Sequence, residues 1–170
     1  MNGSKFLIQV SGAAVAMVVG FPALAQNAGP QMAPRSATAF AQYVDASRTE
    51  CASFDDGVLA IEYSQIDQTT DFDGDGLADA IFDSAGLNCS TSASFSGGTG
   101  GTILSIFLSA DGGTRQMQMQ GYQILHSRRV PILLLALHGS ACDRYGYQAC
   151  FAAYSFVDGS FVAAGGAVRE

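Results

Sequence analysis

Asp71, Asp73, Asp75 and Asp79 are the residues in this sequence best suited to chemistry, four carboxylates within nine positions. They fall at the first, third, fifth and ninth places of Asp71-Phe72-Asp73-Gly74-Asp75-Gly76-Leu77-Ala78-Asp79. Alternating carboxylates point several hard oxygens at one centre. Gly76 at the sixth place permits the sharp turn that wraps a chain around an ion, and Leu77 at the seventh can offer its backbone carbonyl. Calcium takes roughly six to eight oxygen ligands in a flexible geometry, and this loop supplies most of them. The expected ligands are therefore Asp71, Asp73, Asp75, Leu77 and Asp79, and the expected cofactor is Ca2+. All come from one loop with no nucleophile or base close by in sequence, so the ion would be structural. The competing reading is a polar turn without an ion, in which the carboxylates repel one another and only solvent screens them.

The segment departs from an EF-hand, because its twelfth position is Phe82 where a bidentate Glu is needed. It resembles instead the short calcium loops of FG-GAP repeats, the D-x-D-x-D-G-x-x-D pattern of the β-propellers in integrin α-subunits. The resemblance covers some twenty residues in a single copy, so it implies a loop type and neither a propeller nor adhesion. Dockerins share part of the pattern but need a second copy and helices. The mature chain as a whole is similar to small exported bacterial proteins with such a loop, a following Cys (Cys89), and a His138-Gly139-Ser140-Ala141-Cys142 segment before a further Cys (Cys150). That likeness supplies no activity.

Other reactive residues are poorly arranged. Ser140 and His138 stand two apart, but His-Gly-Ser-Ala-Cys is not a nucleophile elbow; a hydrolase built on them is the weakest reading. Met117 and Met119 suit strand packing better than soft-metal binding. The only glutamates are Glu50, Glu62 and Glu170, and nothing pairs one with an Asp as glycosidases require. Gly97 to Thr102 reads as a flexible loop; no Lys follows it, so it makes no phosphate cradle.

The start of the chain points to export. Lys5 precedes an apolar run from Phe6 to Phe21, and Pro22 leads into Ala23-Leu24-Ala25, the small-x-small form that signal peptidase cuts after. Residues 1–25 are expected to be a signal peptide cleaved between Ala25 and Gln26. A transmembrane anchor would need about 20 apolar residues, and no later run reaches that length, so no membrane span is expected in the mature chain. The expected location is periplasmic or secreted. There an even number of cysteines reads as disulfides. Of the three pairings possible, Cys142–Cys150 and Cys51–Cys89 are favoured; a zinc site from Cys142, Cys150 and His138 is the less suitable alternative.

Cleavage removes Lys5, the sole lysine, and leaves seven Arg against fifteen Asp and Glu, a net of −8. This disfavours nucleic acid and anionic membranes, and the one basic pair, Arg128-Arg129 beside His126, is too small for either. Cations or a basic protein are better partners. An acidic inhibitor of a basic hydrolase is thus the alternative to a calcium-stabilised binding or envelope module.

The elements expected to position the loop are short strands. Residues 26–47 read as a flexible lead-in, with Ala37 to Ala46 either a helical turn or a strand. From 48 to 170 a single β domain is expected. Its segments are Val58–Ile66, Leu77–Phe82, Ile103–Leu108, Arg115–Gln123 with one wet face, Val130–Leu137, and a terminal hairpin turning at Asp158-Gly159. Turn signals recur every eight to twelve residues and no long helical period follows Gly57. The fold class is mostly β: a small antiparallel domain, as a meander or compact sandwich.

Overall fold

The structure is a computed structural model and describes residues 32–127, 130–148 and 150–164. The expected signal peptide, and the first part of the expected lead-in, lie outside the described residues. Apart from one helix, the elements are short antiparallel strands, so the domain is mostly β as expected.

The lead-in expectation is corrected. Helix α1 spans Pro34–Ala52 and packs into the fold, so the folded domain begins well before residue 48. Pro34 sits in the first helical turn, where its fixed φ and missing N–H suit a helix start. Phe40 and Val44, one helical turn apart, fall on one face and are buried with Ala39. After Ser53 the backbone is turned by Asp55 (φ 49°) and Asp56 (φ 55°), a conformation that Asp tolerates better than most residues.

The strands are β1 (Leu59–Ile61), β2 (Ile66–Asp67), β3 (Ala80–Asp83), β4 (Leu87–Cys89), β5 (Gly97–Gly98), β6 (Gly101–Phe107), β7 (Thr114–Met119), β8 (Gly121–Leu125), β9 (Ile132–Leu137), β10 (Cys150–Val157) and β11 (Ser160–Ala163). All pairings are antiparallel. The central sheet joins β2, β3, β6 and β5, with β7 on the other side of β6. A second sheet runs β11-β10-β9-β8, and β1 pairs with β4 in a small third one.

The result is three layers. Successive residues of a strand face opposite ways. Ile81, Leu104, Ile106 and Met119 of the central sheet therefore pack against Leu133 and Leu135 of the second sheet. Ala80, Phe82 and Phe107 point the other way, against Ala39, Phe40 and Val44 of α1. Phe40 meets Phe82 and Phe107 edge-on at centroid distances of 5.5 and 5.4 Å, the arrangement that ring quadrupoles favour.

Several expected strands shift. Val58–Ile66 becomes two short strands around a 3-10 turn at Tyr63–Gln65. Leu77 and Ala78 belong to the acidic loop, and the strand begins at Ala80. The Gly97–Thr102 segment is a tight hairpin between β5 and β6 rather than a flexible loop; Gly101 has φ +99°, and a Cβ there would lie 2.0 Å from the Met119 carbonyl oxygen. Arg115–Gln123 is not one strand: β7 pairs with β6 in the central sheet, while β8 pairs with β9 in the second.

Both favoured disulfides are present, Cys51–Cys89 and Cys142–Cys150, with Cα separations of 5.7 and 6.0 Å. The first ties the last turn of α1 to β4. The zinc alternative is thereby set aside, since its two sulfurs are bonded to each other.

Candidate metal centre

The acidic loop runs from the end of β2 to the start of β3, and its shape comes from carboxylates bonding back to nearby backbone N–H groups. Gly74 N–H and Gly76 N–H donate to the two oxygens of Asp71 at 2.6 and 2.9 Å. Asp75 N–H donates to Asp73 Oδ1 at 3.3 Å and Leu77 N–H to Asp75 Oδ1 at 2.8 Å. Gly74 (φ +78°) and Gly76 (φ +88°) take left-handed conformations that a side chain would oppose.

Asp79 closes the loop from beneath. It is fully buried, 0% exposed, and each oxygen has backbone partners: Phe72 N–H donates to Oδ2 and Ser109 N–H to Oδ1, both at 2.8 Å. Its own N–H donates to the Thr70 carbonyl, which pins the neck of the loop. Burial pushes the carboxyl above the ordinary Asp range; the N–H groups of Phe72 and Ser109 oppose that push, and the nearby charge of Asp73 adds to it.

A second segment, which the sequence reading did not include, completes the arrangement. Ser109 and Ala110 follow β6, and the antiparallel pairing of Ala80 with Phe107 sets them against the loop. Ser109 Oγ lies 2.9 Å from Asp75 Oδ1, 3.1 Å from Asp79 Oδ1 and 3.4 Å from the Leu77 carbonyl oxygen. Ala110 N–H donates to Asp73 Oδ2 at 3.1 Å. Arg35 of α1 donates to the Ala110 carbonyl, so the helix start braces the same segment.

Three of the five expected ligands, Asp71, Asp73 and Asp79, come together as a candidate metal cluster, and Asp75 and Leu77 do not join it. Asp71, Asp73 and Asp79 each bring a carboxylate oxygen within 4.8 Å of the others, while Asp75, Leu77 and Asp79 meet at the Ser109 hydroxyl. The three oxygens are close enough to share one cation, and the donor set is all hard oxygen. Asp71 and Asp73 are half-buried and Asp75 is exposed, so an ion would have access from solvent.

Ser109→Ala keeps the N–H bond to Asp79 but removes the hydroxyl from three oxygens. The expected loss is about 1–1.5 kcal/mol in urea denaturation with chelator present; an unchanged midpoint would mean that water replaces the hydroxyl without loss.

The other candidates are structural. His138 Nδ1 lies 2.8 Å from Ser140 Oγ, but the same ring caps the 3-10 turn at Gly139–Cys142 by accepting from Ser140 N–H. A Cβ added at Gly146 would lie 2.3 Å from His138 Nε2, so the ring's other nitrogen faces backbone. Met117 and Met119 belong to the core between the two larger sheets. The Arg128-Arg129 pair lies outside the described residues.

Comparison with protein-family models, with curated proteins and with solved structures finds no match to this chain. Among the described residues no helix is long and apolar enough to cross a membrane.

Proposed function

We propose that this protein is an exported β module, periplasmic or secreted, whose acidic loop binds one structural calcium ion, in the manner of the FG-GAP loop it resembles. The supporting observation is that carboxylate oxygens of Asp71, Asp73 and the buried Asp79 lie within 4.8 Å of one another. Two disulfides suit an oxidising compartment and add to the same economy of a small domain held by covalent and ionic ties. The role is binding or envelope-associated, with the ion fixing the end of the central sheet where β3 and β6 meet the loop.

Calorimetric titration of calcium into the chelator-treated mature protein tests the reading. One site is expected, with Kd in the range of about 0.1–1 mM typical of extracellular modules. At calcium thirty-fold above Kd, mass action adds about 2 kcal/mol, which raises Tm by roughly 4–8 °C for a domain of this size. Asp73→Ala and Asp75→Ala should each abolish or sharply reduce the shift. No heat and no shift in the parent protein would leave the loop as a self-bonded turn.

A further inference from the structure

We propose that the outer face of the β11-β10-β9-β8 sheet is the docking surface for a second copy of this chain. The inner face of that sheet is covered, since Leu133, Leu135, Tyr122, Ile124, Tyr154 and Phe161 pack toward the central sheet. The strand alternation then sends Leu125, Ile132, Leu134, Phe151, Val157 and Val162 outward, and the cross-strand registers place them on one surface. Phe151 is 72% exposed and Val162 52%. The remaining outward positions hold only Gly, Ala, Ser or Gln.

None of these outward positions carries a charge, in a chain of net charge −7. That contrast selects the occupant. A basic partner would be drawn to the carboxylates, which lie elsewhere. Another copy of an acidic protein meets least repulsion at a face without charge, and here the two copies meet apolar surface. Asp158, in the turn joining β10 to β11, stays at the rim.

The shape of the face agrees with this. Phe151 protrudes beside a groove of about 350 Å3 floored by Leu134, Leu135 and Ala136. A knob next to a hole is what a twofold contact requires, because each copy then offers both halves. Four strands at about 4.8 Å spacing and roughly 20 Å length give a plan area near 400 Å2. That is about half of the roughly 800 Å2 per partner of a standard interface, so the association is expected to be weak.

Sedimentation velocity of the purified, exported protein between about 1 and 100 μM tests the proposal. The expected result is a concentration-dependent species of twice the chain's mass. Phe151→Asp and, separately, Val162→Lys place a charge at an exposed position and should each weaken association at least tenfold, with the circular dichroism spectrum and Tm unchanged. A wild-type protein that stays single-chain throughout, or a dimer that survives both substitutions, overturns it. The calcium reading is untouched by either outcome, because the metal loop lies in the other sheet.

Discussion

Asp79→Ala is expected to lower stability by about 3–5 kcal/mol in the absence of calcium, the largest loss from any single loop residue. The reason is hydrogen bonding rather than metal binding. The carboxylate accepts from Phe72 N–H, Ser109 N–H and the Ser109 hydroxyl in a place water does not reach. Truncation strands two backbone donors, and each buried donor left without a partner costs about 1–3 kcal/mol. It also unties the neck of the loop, where Asp79 N–H holds the Thr70 carbonyl, from the segment after β6. Relief of the carboxylate's own burial offsets part of this loss, since its pKa is raised by desolvation. Asp79→Asn should fall between: its oxygen can keep the Ser109 bonds, but its NH2 would face the Phe72 N–H. Urea denaturation with chelator gives the order wild type, Asn, Ala. With calcium added, the gap between wild type and Ala should widen, because only wild type gains the ion. An Ala variant as stable as wild type in chelator would show that the loop's buried bonds merely repay desolvation.

The contrast with Asp73 and Asp75 shows what was legible in the sequence. The spacing of carboxylates and glycines revealed a loop able to gather oxygens, and Asp71, Asp73 and Asp79 do cluster while Asp75 stays out of the cluster. It could not show that Asp79 is wholly buried or that Ser109 sits among three of the oxygens. Ser109 lies thirty positions beyond Asp79, and only the register of β3 on β6 brings it there. Helix α1, of which only Ala37 to Ala46 reads as a helical turn or a strand, was underread for a different reason. Pro34 lies in the segment read as a flexible lead-in but suits a first helical turn, and the helix has no side-chain N-cap and no acid in its first turn to announce it. The break between β7 and β8 did have a signal. Met117 and Met119 are inward at odd positions, Tyr122 and Ile124 at even ones. A single strand cannot change phase in this way without a break, and Gln120 is where the chain crosses from one sheet to the other. The outer face of the second sheet was hidden because every residue from Ile132 to Leu137 is apolar, so alternation gives no sign of which face is exposed.

Removing the Cys51–Cys89 disulfide should cost about 4 kcal/mol and removing Cys142–Cys150 about 2.5 kcal/mol, with different parts of the fold released. The pairs close loops with sequence separations of 38 and 8, and constraining a longer loop removes more entropy from the unfolded chain. The local effects should separate the two more clearly than the totals. Helix α1 has little intrinsic support: besides its uncapped start, no basic residue stands in its last turn. Its β-branched and serine residues add little helix propensity. What holds it is Phe40 and Val44 packed on the central sheet and, at its last turn, the buried Cys51 bonded to β4. In the Cys51→Ala/Cys89→Ala double variant, the amides from Ser47 to Ala52 should lose most of their hydrogen-exchange protection while the core of β6 and β9 keeps its own. The Cys142→Ala/Cys150→Ala variant should loosen the turn from His138 to Gln148 and leave α1 protected. Because α1 also carries Arg35 to the Ala110 carbonyl, loss of the first disulfide should weaken calcium binding modestly, and loss of the second should not. Equal denaturation midpoints for the two variants, or exchange in α1 that follows the shorter loop, would show that strain or residual structure outweighs loop length here.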